Sequence, residues 1–121
     1  MSVLVPSPFR IDPAPAAVDL VAKYFRTLGD PTRIRLLEIL DEDEVSVGEL
    51  VKRLGLPQPQ VSKHLGCLRW CGFVVTRREH RTVYYRVADS RVSEVLALGR
   101  GLLADNAEHV AACATVDGGR C

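Results

Sequence analysis

The chain has 121 residues, 47% of them hydrophobic and 26% charged, with a formal net charge of +1. That size allows one domain with a modest core and excludes two, and the composition is that of an ordinary folded soluble protein. No apolar run approaches the ~20 residues of a membrane helix, and the N-terminus lacks the basic start and long apolar stretch of a secretion signal, so a cytoplasmic protein with no membrane partner is expected.

Residues 1–13 carry three prolines and little periodicity, which predicts a flexible arm. From Ala14 to Leu28 the apolar residues Val18, Val21, Ala22, Phe25 and Leu28 recur at helical spacing, a first helix that Gly29 ends. Asp30-Pro31 restarts the chain as an N-cap with proline at the first helical position. The second helix, about Pro31 to Leu40, is expected to bury Ile34, Leu37 and Leu40, and the acidic run Asp41 to Glu44 to form a turn. Ser46 caps a third helix, Glu49 completes the capping-box pattern, and Val47, Leu50, Val51 and Leu54 face inward. Gly55-Leu56-Pro57 is a tight turn. A fourth helix follows from about Gln58 to Trp70, with Pro57 and Pro59 tolerated at its start, and Gly72 ends it.

Phe73 to Arg77 and Thr82 to Val87 are rich in β-branched and aromatic residues and read as two strands. The basic link Arg78-Glu79-His80-Arg81 is the tip between them. After the capping signal Asp89-Ser90, a last helix from about Arg91 to Leu103 carries Val92, Val95, Leu96, Gly99, Leu102 and Leu103 on its inner side. The segment from Ala104 to Cys121 is less regular, with a further helical turn expected over Asn106 to Ala112.

A helix-turn-helix followed by a two-stranded wing is a winged helix, a mainly α fold with a small β element. The expected organisation is an arm (1–13), a DNA-binding and dimerisation domain (14–103) and a C-terminal tail (104–121). The apolar stripes of the first and last helices exceed what one small winged helix needs to cover. They are expected to form a homodimer interface, an internal helix–helix contact being the alternative.

Charge supports a nucleic-acid reading. Between Val61 and Ala88 stand Lys63, Arg69, Arg77, Arg78, Arg81 and Arg86 against Glu79 alone, while Glu38, Asp41, Glu42, Asp43 and Glu44 make much of the rest acidic. A basic half on an otherwise acidic protein suggests a localised nucleic-acid footprint, and a solvated charged face is the alternative. Four cysteines in a reducing compartment point to metal or redox chemistry more than to a disulfide framework.

The stretch Leu28-Gly29-Asp30-Pro31-Thr32-Arg33-Ile34-Arg35-Leu36-Leu37 resembles the second-helix signature of the ArsR/SmtB family of metal-responsive repressors. Val61-Ser62-Lys63-His64-Leu65-Gly66-Cys67-Leu68-Arg69 is similar to that family's recognition helix, and Gly72-Phe73-Val74 with Tyr84-Tyr85-Arg86-Val87 to its wing. The likeness covers roughly residues 16–103. It implies a homodimeric winged-helix repressor that releases operator DNA when an ion binds, with no enzyme activity. Cys67 and Cys71, with a later tail cysteine, are most similar to the mycobacterial cadmium/lead sensor subgroup, which implies Cys113 as a third ligand. Two departures accompany this. Val45-Ser46-Val47-Gly48-Glu49-Leu50 lacks the Cys-x-Cys of the arsenic and cadmium sensors that bind on the third helix. The last helix has Asp89, but Arg91 and Leu102 stand where the zinc sensors place histidines.

With Val61 facing the core, ~100° per residue brings Leu65, Leu68 and Gly72 to the same side. Gln60, His64, Cys67 and Cys71 then share a stripe roughly perpendicular to it. Residues four apart lie about 5–6 Å from each other at Cβ, close enough for two thiolates to hold one soft ion. Two small buried apolar residues are the alternative. One helix supplies only two such ligands, so Cys113, Cys121, His109 and His64 are the candidates for a third. For His64, DNA contact suits its place near the start of the reading helix better than ligation does. Gln58, Gln60, Ser62, Lys63 and His64 are the side chains expected on base edges and phosphates. Arg77, Arg78, His80 and Arg81 suit backbone or minor-groove contact from the wing, with plain solubility charges the alternative for Arg78 and Arg81. Trp70 is expected in a core or an interface.

The function expected is therefore transcriptional repression. A dimer holds double-stranded operator DNA and releases it on capturing Cd²⁺ or Pb²⁺, with Hg²⁺ or As(III) as alternatives and no organic cofactor. A thiol redox or persulfide switch on the same DNA-binding frame is the other reading. A cysteine enzyme built on Cys67 and His64 lacks an oxyanion donor and a carboxylate to orient the histidine.

Overall fold

The computed structural model describes residues 16–114, so the expected flexible arm (1–13) and Cys121 lie outside the described residues. Its elements in chain order are α1 (Ala17–Thr27), α2 (Pro31–Glu42), β1 (Val45–Ser46), α3 (Val47–Leu54), α4 (Gln58–Trp70), β2 (Val74–Glu79), β3 (Thr82–Val87) and α5 (Ser90–Ala112).

Local chemistry sets most of these boundaries. Asp30 Oδ1 accepts from the backbone N–H groups of Thr32 (2.8 Å) and Arg33 (3.2 Å), and Pro31 at the first helical position loses no bond by lacking an N–H. Ser46 Oγ accepts from the N–H of Glu49 at 3.2 Å. Glu49 does not reach back to close the capping box but pairs with Arg53 one turn on, at 3.2 Å. The end of α4 closes differently. The N–H of Phe73 donates to the carbonyl of Leu68 (2.9 Å) and that of Gly72 to Arg69 (3.1 Å), with Gly72 at φ +83°. This is the Schellman arrangement, in which glycine takes the left-handed position and the next residue packs back onto the helix.

Phe73 is that residue, and it is fully buried. Around it the core gathers Leu36, Leu37 and Leu40 of α2, Leu50 and Leu54 of α3, Val61, Leu65 and Leu68 of α4, with Val74, Val92 and Leu96. Gly72, expected on the core side of α4, instead sits exposed just past the helix end, because the chain reverses there.

Four expectations are corrected. The sheet has three antiparallel strands in the order β1-β3-β2, not two, because the extended residues that lead into the Ser46 cap pair with β3 (Val45 opposite Tyr85, Ser46 opposite Tyr84). The acidic turn is shorter than expected, since α2 continues through Glu42, and the wing tip is only His80-Arg81, since Arg78 and Glu79 lie in β2. The last helix does not stop at Leu103. With no glycine or proline after Leu103 to break it, it continues across a kink into the helical turn expected over Asn106 to Ala112. It kinks at Asn106 (φ −132°, ψ 16°), whose side-chain amide donates to the Leu102 carbonyl at 3.0 Å.

The surplus apolar stripes remain uncovered within one chain. On α1, Val18, Val21, Tyr24 and Phe25 are exposed, and on α5 only Val92 and Leu96 are buried while Val95, Leu98, Leu102 and Leu103 face outward. Between the two helices an open apolar groove of about 660 Å³ is lined by Phe25, Leu28, Ile34, Val95, Leu98 and Leu102.

Leu65 anchors the middle of α4 and has no exposed surface. Leu65→Ala should cost about 2–5 kcal/mol of stability, read as a lower urea midpoint with an unchanged slope.

Candidate DNA-reading and thiol site

With Val61, Leu65 and Leu68 in the core, α4 turns Gln58, Gln60, Ser62 and Lys63 to solvent and leaves His64 half-buried. Every α4 side chain expected to meet DNA therefore lies off the core face. His64 is not free-standing. Arg33 Nε, from the first turn of α2, donates to His64 Nδ1 at 3.2 Å, while Arg33 Nη1 donates to the Thr27 carbonyl at 3.2 Å. An Nδ1 that accepts leaves the proton on Nε2, so the outward nitrogen of the neutral ring is a donor.

The wing arginines differ among themselves. Arg77 is held by Glu44 (2.7 Å) and Glu79 (2.8 Å) and lies 4.6 Å over the Tyr84 ring. The hydrogen bond that Arg77 donates to Glu79, then the one it donates to Glu44, raises its pKa above the ordinary arginine value. Arg77 thus ties the wing to the segment before β1. Arg78 and Arg81 are exposed and form no ion pair among the described residues.

Cys67 and Cys71 are both half-buried free thiols. Cys71 caps α4, its N–H donating to the Cys67 carbonyl at 3.1 Å, and its side chain packs against the core. Its Sγ lies 3.5 Å from Thr27 Oγ1 at the end of α1. Cys113 is a half-buried free thiol at the C-cap of α5, and His109 is exposed one turn earlier. Among the described residues no group of three or more His, Cys, Asp or Glu side chains comes together to hold an ion. One chain therefore offers two soft sulfur donors on one helix and does not bring Cys113, His109 or His64 in to complete them. Their chemistry suits a thiophilic ion.

Sequence reasoning missed Thr27 and Arg33, whose partners lie 44 and 31 residues away respectively and leave no local pattern. Trp70, expected in a core or interface, is 91% exposed at the end of α4, so the core half of that expectation is wrong.

Residues 30–76 match the bacterial regulatory proteins of the arsR family. A probable mercury resistance operon repressor of Streptomyces lividans is 42% identical over 100 residues, 83% of this chain and 80% of that protein. The chain belongs to the ArsR family. Its members are transcriptional regulators, not enzymes. The crystal structure of Mycobacterium tuberculosis Rv0081 superposes with a TM-score of 0.75 at 38% identity, covering 82% of this chain and all of that one. The homodimeric winged helix-turn-helix DNA-binding domain of Mb0332 from Mycobacterium bovis gives 0.68 at 30% identity, covering 80% and 89%. No described helix is long and apolar enough to cross a membrane.

Asp89, the acidic position at the start of the last helix that draws comparison with the zinc-sensing ArsR proteins, is otherwise engaged. Its Oδ1 caps α5 by accepting from the Arg91 N–H at 2.8 Å, and Arg91 Nη2 grips Oδ2 at 2.7 Å. The Arg91 side chain, then its backbone N–H, lowers the Asp89 pKa to about 2. A depressed carboxylate stabilises the fold above its unfolded pKa, and this is lost as pH falls through the folded value. Asp89→Asn keeps a capping oxygen but no charge. Its thermal midpoint should lie below the parent's near pH 6, and the gap should close as pH approaches about 2. A constant gap would show that the charge contributes nothing.

Proposed function

We propose that this chain is a homodimeric ArsR-family repressor that holds a twofold operator and releases it on capturing a thiophilic ion at Cys67 and Cys71. The observation that carries the reading is the position of the two thiols. They stand four apart on the helix that presents the DNA-reading side chains, half-buried and unpaired.

The exposed apolar faces of α1 and α5 supply the dimer contact, since both lack cover within one chain. The homodimeric state of a similar winged-helix domain supports this. Gln58, Gln60, Ser62, Lys63 and His64 read the major groove from α4. Lys63 serves a phosphate, and His64 offers its Nε2 proton to an acceptor. Arg78 and Arg81 reach the flanking backbone or minor groove from the wing tip, and Arg77 contributes from the root where Glu44 and Glu79 hold it. A bound soft ion draws thiolates into a compact, charge-compensated cluster. Cys67 and Cys71 hold two of its positions, and Cys113, which does not meet them within one chain, enters from the partner subunit.

Cd²⁺ and Pb²⁺ are the ions proposed first, because the thiol pattern is similar to that of the cadmium/lead sensors. Hg²⁺ is the second reading, favoured by the likeness to the Streptomyces mercury operon repressor.

Adding each ion to reduced protein should produce ultraviolet sulfur-to-metal absorption with release of protons. Cys67→Ser and Cys71→Ser should each abolish tight binding, and two variants that bind like the parent would remove α4 from the site. Cys113→Ser should weaken ion binding and block DNA release while leaving ion-free DNA binding intact. Mixing Cys67→Ser/Cys71→Ser subunits with Cys113→Ser subunits should restore one working site per heterodimer if ligation crosses the interface.

On the DNA side, Lys63→Ala should weaken binding on all sequences and make the slope of log K against log salt shallower by about 1. Titrating a reduced, ion-free dimer against operator fragments at several salt concentrations reads this directly. No affinity at low salt would overturn the repressor reading.

A further inference from the structure

Thr27 is the one polar residue buried among the described residues, with 7% of its surface exposed. It occupies the last turn of α1, and each of its polar atoms has a partner on another part of the fold or the preceding turn. Its Oγ1 lies 3.4 Å from the Lys23 carbonyl and 3.5 Å from Cys71 Sγ. Its own carbonyl accepts from Arg33 Nη1 at 3.2 Å, and Arg33 Nε donates to His64 Nδ1, also at 3.2 Å. A continuous set of polar contacts therefore runs from a thiol of α4, through the end of α1 and the start of α2, back to a DNA-facing histidine of α4.

The proton count makes this set sensitive to the state of the sulfur. A threonine hydroxyl has one proton. While it is directed at the Lys23 carbonyl, the contact with Cys71 requires the thiol to donate. An ion-bound thiolate has lost that proton, which passes to solvent. The contact then survives only if the hydroxyl swings to donate to sulfur and abandons Lys23. If instead the sulfur moves off, a buried hydroxyl loses a partner. Both outcomes disturb the last turn of α1, whose Thr27 carbonyl anchors Arg33.

We infer that Thr27 is the positioning residue that couples Cys71 to DNA reading, by transmitting the state of the sulfur through Arg33 to His64. The inference rests on Cys71 being an ion ligand. It adds a residue that touches neither the ion nor DNA and still sets how far one affects the other. Coupling is reciprocal, so operator DNA should weaken ion binding by the same factor by which the ion weakens DNA binding.

The test uses the full-length reduced dimer with Cd²⁺ as the probe. Ion uptake is read by ultraviolet absorption, and operator affinity is measured with and without ion. For the parent, the ion should lower DNA affinity by about 5- to 150-fold. Thr27→Val keeps the shape but not the hydroxyl. It should still take up the ion and should bind DNA without ion as the parent does, but the ion effect should shrink to about twofold or less. Thr27→Ser, which keeps the hydroxyl, should restore it. Parent-like coupling in Thr27→Val, or equal loss in the Val and Ser variants, would overturn the role of the hydroxyl.

A parent that takes up no ion at Cys67 and Cys71 would instead fail the ligand assignment. The relay is judged separately, without ion, by nitrogen-15 spectra of the imidazoles. His64 should be the Nε2–H form in the parent and lose that preference in Arg33→Gln. A parent His64 protonated on Nδ1 sinks the relay whatever the metal results.

Discussion

The seating of α4 is the constraint on which the rest of the molecule depends. Val61, Leu65 and Leu68 have no exposed surface, and the reversal at Gly72 drives Phe73 into the same core. A helix pinned along one side and at its C-terminal end has no freedom to roll. Its azimuth decides at once that Gln58, Gln60, Ser62 and Lys63 face outward and that Cys67 and Cys71 lie at the flank. Rotation by a single residue, about 100°, would bury the reading face or withdraw the thiols. The side chains proposed to read DNA and the two thiols proposed to hold an ion therefore share one mechanical support.

The wing is braced from outside the core. β1 is only two residues long, yet it gives β3 a neighbour on both sides and brings Glu44 to Arg77. Arg77 is exposed enough that its ion pairs add little stability on their own. Their value is directional: with Tyr84 beneath and carboxylates on two sides, the guanidinium orients the hairpin that carries Arg78 and Arg81.

Much of this was legible in the sequence. The helices follow from apolar spacing and from caps with a mechanism, as at Asp30, Ser46 and Asp89, and the half-buried flank carrying the two thiols follows from counting round α4 from Val61. The exposed stripes of α1 and α5 were visible as apolar surplus. Three things were not. β1 is too short to show a period, and the link that joins the helix before Leu103 to the expected turn over Asn106 to Ala112 was hidden because Asp105 and Asn106 are poor helix formers. The contacts of Thr27 and Arg33 depend on three helices meeting, and nothing in the local sequence of any one of them announces the others. Cys113 likewise does not join Cys67 and Cys71 in one cluster within a single chain.

Trp70 has a use that follows from its position. It is the only tryptophan in the chain, 91% exposed, and directly precedes Cys71. Its indole stands in water, so its fluorescence lies toward the red end of tryptophan emission. Anything that covers the end of α4, or any heavy atom held beside it, must alter that emission. The protein thus carries a built-in optical reporter where α4 meets its sulfur pair, and its behaviour can be followed in real time with no label attached.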